Sequence, residues 1–418
     1  MKILYLNQQF QTPAGGSISR GYEFMKLLAH RGHEISILCS GIDTEPELAV
    51  KPGRISSENT VDELHCVSVA AGWGSPMAIT KVSKYQRMLG FLKFSRVAAK
   101  VGRRLQRPDI VMASSPPLPV GLAGRKIAQH HGVPYVFEVR DPWPSALINL
   151  QLLSNPGVIA WMRWMERRIQ SAASACIALS PPIRDELIEQ GFSADRVVVV
   201  PNACDLGLFG ASVDRAEVRR KLGIGDRFTA IYFGAMGLAN GLDYLLDAAK
   251  HLKELGQDDI AVLMVGAGGE RERLAERITK EQLGNVVLRD PVSRSEIASY
   301  VAACDVGLTI IRPSVESPTW SPNKLFDCLA AGKPAVINVK GWLKELVESN
   351  NVGRMTSPTD PTELADALIE LASNPALCSK LGTNARQLAE NEFSREKLAI
   401  RMEQALLDLA QHYEPAHA

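Results

Sequence analysis

The run "KILYLNQQFQTPAGGSISRGYEFMKLLAH" (residues 2–30) holds a short apolar strand, a glycine pair at Gly15 and Gly16, and a helix-period stretch that carries Arg20. Adjacent glycines let backbone N–H groups approach a bulky anion with no Cβ in the way, and a helix start beyond them adds its positive end. A glycine pair between strand and helix also simply makes a turn. "GGSISR" is neither a full GxGxxG nor a P-loop, and no Gly-Lys-Ser/Thr follows, so the rest of the chain has to decide.

The same strand-then-helix unit repeats almost from end to end. Strand candidates in the first half are "KILYL", "EISILC", "LHCVSVA", "DIVMAS", "PYVFEV", "SACIAL" and "RVVVVP", with amphipathic stretches between most of them. A second series follows, "FTAIYFG", "IAVLMVG", "NVVLR", "CDVGLTI" and "KPAVINV", with helix starts marked by Ser293 to Glu296 and by Asp360-Pro361 with Glu363. Apolar strands alternating with helices predict parallel sheets covered on both faces. A chain of 418 residues is long for one core, and two domains are expected. The shift comes at "VVPNACDLGLF", which places an N-terminal domain at 1–200, a C-terminal domain at 201–393 and a closing helical segment at 394–418 that packs back toward the first. Two such α/β domains are expected to face across a cleft, with ligands at the carboxyl ends of the strands.

Composition narrows the classes. The chain is 46% hydrophobic and 22% charged with a formal net charge of +1, so no overall excess of positive charge points to nucleic acid. Seven cysteines are scattered with no CxxC and read as reduced core residues rather than disulfides or metal ligands. The N-terminal apolar run is too short for a signal-peptide core and no stretch would span a bilayer, so a cytoplasmic protein is expected.

Several motifs together resemble the family-4 glycosyltransferases of the GT-B architecture, over nearly the whole chain. They are "PAGGSISR", "VVPNACDLGLF", "YFGAMGLANGLDYLLDAA", "LMVGAGGERERL" and, most specific, "SPNKLFDCLAAGKPAV". "SPPLPVGLAG" and "VRDPWPSAL" look like the branch that builds bacterial surface polysaccharides, including N-acetyl-L-fucosamine transferases. The resemblance implies an α/β fold of two Rossmann-like domains and retaining transfer, without a metal or other cofactor, from a UDP-sugar. It implies donor contacts at Gly15, Gly16, Arg20, Asn202, Gly234, Gly237, Gly266, Val292, Ser321, Pro322, Asn323, Lys324 and Asp327. Within the last motif Ser321 is expected as helix cap, Pro322 in the first turn and Asn323 near the amide end, a start that favours a diphosphate. Lys324 adds charge for the phosphates, and Asp327 offers a carboxylate to ribose hydroxyls where the family has Glu.

Departures from the family matter as much. The first Glu of its paired acidic motif falls on Thr319, with Glu316 three residues earlier as a substitute. The usual Arg and Lys of the second domain's first loop fall on Ala235 and Asn240, which puts weight on Lys324, Arg20 and the glycine amides. "EVRDPWP" places Glu138, Arg140 and Asp141 at a strand end. Asp141 is expected to orient a sugar hydroxyl and Arg140 to bind a phosphate, or else the two form an internal pair that shapes the loop.

From Trp73 to Arg107 there are nine Lys or Arg residues and no acid. Projected as one helix, Lys93, Arg96, Lys100, Arg103, Arg104 and Arg107 fall within about a quarter turn, opposite Phe91, Phe94, Val97, Ala98, Val101 and Leu105. The apolar face differs before Gly90, so a bend or break is expected there. A one-sided basic face suits the anionic inner surface of the cell membrane and a lipid-linked or saccharide acceptor; an ordinary solvated face has the same look. "WMRWMERR" (161–168) extends that surface or packs inside. Two other functions fit the motifs: a UDP-N-acetylhexosamine 2-epimerase, and a non-catalytic partner subunit of the same architecture.

Overall fold

The computed structural model describes residues 1–13, 20–41, 45, 47–71, 83–313 and 319–413. Contacts divide the chain into two units, Met1–Pro201 with Leu398–Ala418, and Asn202–Lys397. The boundaries read from the sequence are 200/201 and 393/394.

The first unit is an eight-stranded sheet of β1 (Lys2–Leu6), β2 (Glu34–Ser40), β3 (Ser56–Val61), β4 (Leu64–Val69), β5 (Ile110–Ser115), β6 (Tyr135–Val139), β7 (Ala175–Ala178) and β8 (Val197–Val199), in the order β3-β4-β2-β1-β5-β6-β7-β8. Every pairing is parallel except β3 with β4. All of β5 and β6 is buried, as expected of parallel strands covered on both faces. The second unit is a six-stranded, wholly parallel sheet of β9 (Phe228–Phe233), β10 (Ile260–Val265), β11 (Val286–Arg289), β12 (Val306–Thr309), β13 (Ala335–Ile337) and β14 (Gly353–Met355), in the order β11-β10-β9-β12-β13-β14. That order is 3-2-1-4-5-6, the doubly wound Rossmann arrangement, whose ligand position is the carboxyl end of the sheet where the order reverses. The reversal lies between β9 and β12, and in the first unit between β1 and β5.

Two strands escape the sequence reading. β3 is "SSENTV", a polar edge with Glu58, Asn59 and Thr60 exposed, and nothing apolar marks it. Its hairpin turns on Asp62 and Glu63, both at positive φ (44° and 69°), where Asn-Gly is the usual signal. β14 has three residues and is held by pairing to β13. The expected break at Gly90 is absent: one helix runs from Lys84 to Gly102, started by a capping box between Ser83 and Gln86. It also ends earlier than projected. Arg103 is its C-cap, and its Nε donates to the Ala99 carbonyl (3.1 Å). Arg107 donates to the carbonyls of His131 (2.9 Å) and Gly132, the end of the Val120–His131 helix. The single basic arc therefore stops at Lys100, although all six cations are exposed.

The closing helix, Arg395–His412, belongs to the first unit from Leu398 onward and is tied within it by Glu403. The Glu403 carboxylate accepts from Arg31 and from His33 Nε2, each at 2.7 Å. Burial pushes this carboxyl up, but His33 and Arg31 outweigh it and hold it below its usual range. Its contribution is therefore present above the unfolded carboxyl's pKa and lost as pH falls through the lower folded value. Glu403→Gln is expected to cost about 1–2 kcal/mol near neutral pH, read as an earlier urea transition of the first unit, with the difference from wild type shrinking in acid.

Candidate functional site

In the second unit the carboxyl ends of β9 and β12 supply most of the site residues. β9 ends at Phe233 and runs into Gly234, at φ +119°. β10 ends beside it at Gly266, where an added Cβ would lie 1.9 Å from the Gly234 carbonyl oxygen. Gly266 thus serves close approach of two loops, a need glycine alone meets. Three glycine amides here are already used: Gly234 N–H donates to Val265 (2.9 Å), Gly266 N–H to Arg289 (3.2 Å), and Gly237 N–H, the one expected to meet phosphate in this unit, to the Asn240 side chain (3.3 Å).

After β12 the chain returns through Thr319, Trp320 and Ser321 to the helix Asn323–Ala330. Here Ser321 is not the cap. Its Oγ accepts from the Asn202 N–H (3.4 Å) and its carbonyl accepts from the Asn202 side chain, so Pro322 takes the cap position with no side chain over the first amides. An uncapped helix start carries positive potential. Lys324, in that first turn, lays Nζ 3.7 Å from the centre of the Tyr232 ring and beside Gly234. Crowding by protein atoms pushes its amine down to about 7, although part of the side chain reaches solvent.

One turn on, Asp327 is buried and gives its carboxylate to Arg294, at 2.9 and 3.3 Å. Burial raises this carboxyl to about 6 while Arg294 pulls the other way. Arg294 opens the helix after Val292 and lies 5.1 Å from the Phe209 ring centre; it escaped sequence reasoning because its partner is 33 positions away. Val292 is half-buried against the apolar core of the second unit. Arg312, beyond β12, packs its Cα and Cβ against Gly241 and donates its N–H to Ala239 (3.0 Å). It lines a hollow of about 530 Å³ with Gly237, Leu238 and Pro313, next to the loop in which Ala235 and Asn240 replace the family's cations.

In the first unit the carboxyl ends gather a buried polar knot. Glu138 of β6 is 1% exposed and accepts from Tyr5 Oη (3.1 Å) and Arg20 Nε (3.0 Å). Burial pushes its carboxyl up, but Arg20 and Arg140 prevail and keep it ionised below its usual range. The rest of the Arg20 guanidinium donates to the carbonyls of Val200 (2.7 Å) and Pro201. Arg20 is thus a tie within the first unit, its Nε and both terminal nitrogens each donating to a protein acceptor. Arg140 turns to the Ser115 carbonyl (3.0 Å) and forms no ion pair with Asp141, so the internal pair is not what shapes this loop. Burial raises the Asp141 carboxyl, with Arg140 opposing. Gly15, Gly16 and Glu316 lie outside the described residues.

Gln8, just beyond β1, is a residue no motif marked. It is wholly buried, and neither side-chain amide atom has a hydrogen-bond partner among the described residues. All seven cysteines are free, six of them buried. Among the described residues no group of three or more metal-ligating side chains gathers. No described helix is long and apolar enough to cross a membrane.

An unpartnered buried amide costs about 1–3 kcal/mol, and such violations cluster at functional positions. Gln8→Met should therefore raise stability in urea by about 1 kcal/mol while lowering turnover, a pairing that a purely structural glutamine would not give.

Comparison with known proteins fits this layout. Residues 15–203 match the family model "Glycosyl transferase 4-like domain" and residues 214–388 match "Glycosyl transferases group 1". The chain is 25% identical over 236 residues to an alpha-D-kanosaminyltransferase of Streptomyces kanamyceticus, covering 56% of this chain and 60% of that one. It is 28% identical over 290 residues to a D-inositol 3-phosphate glycosyltransferase of Paenarthrobacter aurescens, covering 68% and 69%. Among solved structures, the Anabaena protein HepE in complex with UDP and glucose superposes with a TM-score of 0.70 at 19% identity, covering 98% of this chain and all of that one. Sucrose-phosphate synthase of Thermosynechococcus elongatus gives 0.76 at 17%, covering 99% and 100%. With two doubly wound sheets, each matched by its own family model, the chain belongs to the GT-B glycosyltransferases, a glycosyl transferase 4-like domain followed by a group 1 domain.

Proposed function

We propose that this protein moves a sugar, with retention at the anomeric carbon and without a metal, from a UDP-sugar to an acceptor hydroxyl. The observation that carries the reading is the Lys324 amine, set at an uncapped helix start beside Gly234, where the strand order of the second unit reverses. In such a transfer the bond from the anomeric carbon to the diphosphate breaks, and negative charge grows on the departing phosphate. A cation and a helix start already in place stabilise that charge without reorganisation. The UDP and glucose in the HepE structure support a uridine nucleotide as the carrier. Asp141, with its carboxyl raised by burial, is suited to hold a sugar or acceptor hydroxyl and receive its proton.

The donor sugar is N-acetylated and the acceptor a polyprenyl-diphosphate-linked saccharide of surface polysaccharide synthesis, such as O-antigen or capsule, worked on at the cytoplasmic face of the membrane. The first unit's surface supports the membrane part of this reading. Tyr85, Leu89, Lys93, Arg96 and Lys100 are all exposed and fall on one side of the Lys84–Gly102 helix. On the Pro156–Gln170 helix, Trp161 and Trp164 are 37% and 50% exposed among Arg163, Arg167 and Arg168. Exposed aromatic and aliphatic groups among cations suit an anionic bilayer surface.

Release of UDP from a panel of UDP-N-acetyl sugars, with and without a membrane extract and in the presence of chelator, tests the transfer. Acceptor-dependent release that survives chelation is expected. A donor isomerised without acceptor would instead make the protein a 2-epimerase, and a donor bound but never turned over would make it a non-catalytic partner. For the membrane, Arg96→Glu with Lys100→Glu should weaken sedimentation with phosphatidylglycerol vesicles about thirtyfold or more, and leave turnover of a soluble acceptor unchanged.

A further inference from the structure

Lys324 is held in an unusual way for a cation. It makes no ion pair with any described Asp or Glu, since the neighbouring Asp327 carboxylate is given to Arg294. What faces its amine is the Tyr232 ring from β9, the Gly234 backbone beyond that strand, and the Cys328 thiol one turn along its own helix. Burial holds the thiol far above its usual range, so it stays neutral. Tyr232 is itself fully buried, and its hydroxyl is anchored to the Ala235 carbonyl at 2.6 Å. The ring is therefore a fixed platform.

We propose that Tyr232 is a positioning residue, its ring face holding the Lys324 amine at the helix start, and that a nucleoside diphosphate sugar entering there draws a proton onto that amine. This rests on the donor reading above. Against the ring the amine has lost much of its water and gained no carboxylate, so its proton is loosely held. An aromatic face attracts the ammonium but does not neutralise it. The diphosphate diester of a nucleotide sugar is fully ionised at neutral pH, so a proton taken up on binding goes to the protein. With the free amine near 7, uptake approaches one proton well above that value and vanishes well below it. Affinity accordingly falls as pH rises, by about tenfold per unit at most, until the amine in the complex itself titrates.

Calorimetric titration of the full chain with UDP-glucose and UDP-N-acetylglucosamine, in buffers of different ionisation enthalpy at about pH 6 and about pH 8, counts the protons. About one is expected at the higher pH and far less at the lower. Lys324→Met should abolish the uptake. Tyr232→Phe, which keeps the ring, should preserve it. Tyr232→Leu, checked for fold by circular dichroism and urea unfolding, should weaken binding about tenfold and move the pH profile. Binding without proton uptake at the higher pH, or a Tyr232→Leu profile that superposes on wild type, overturns the proposal and leaves the donor reading standing. If neither sugar nucleotide binds, the donor reading fails, and the lysine is still decided by carbon-13 NMR of reductively methylated protein. There a signal missing in Lys324→Met that titrates near neutrality supports the platform, and one that titrates in the ordinary lysine range overturns it.

Discussion

A carboxylate with almost no access to water sits at the centre of the first unit's working end, and much else is arranged around it. Glu138 is kept ionised against its burial chiefly by Arg20, which donates to one oxygen, and by nearby Arg140, while Tyr5 donates to the other oxygen. Removing one partner from such a buried pair generally costs about 3–5 kcal/mol, because a charge is left with neither water nor counter-ion. The knot joins the first residues of a helix (Arg20), the core of β1 (Tyr5), the end of β6 (Glu138) and the residues after β8 (Val200 and Pro201). Four segments therefore meet at one ion pair, that of Arg20 with Glu138.

The second unit handles charge in the opposite manner. Its doubly wound order brings the ends of β9 and β12 together at the reversal point, and Gly266 lets the loops after β9 and β10 close to near contact. The backbone donors here are taken, Gly234 by the end of β10, Gly266 by the end of β11 and Gly237 by Asn240 in its own loop. What remains is Lys324, with no carboxylate partner among the described residues, and the uncapped turn around it. The knot of the first unit pairs its charge internally, whereas this cation of the second does not.

The fold was legible in the sequence because its signals are local. Apolar runs of strand length, restarted after a break near Asn202, predict two parallel sheets, and the structure has them. β3 and β14 were not legible: one is a polar edge strand and the other has three residues, so pairing rather than composition defines them. The basic stretch was read as one long arc because an ideal helix was extended past its end; Arg103 and Arg107 instead satisfy carbonyls that only the folded chain presents.

Sequence alone determined the architecture, the family and the short motif that holds Lys324 and Asp327, since each depends on neighbours within a few residues. Tertiary structure decided what those side chains do. Arg20 serves as an internal tie, Ser321 receives an amide from Asn202, and Asp327 faces Arg294. The partners lie 181, 119 and 33 positions away. No periodicity relates residues so far apart. They meet because two sheets wind their strands back to common ends, and a charged group's role is set by what else the fold brings within hydrogen-bond reach.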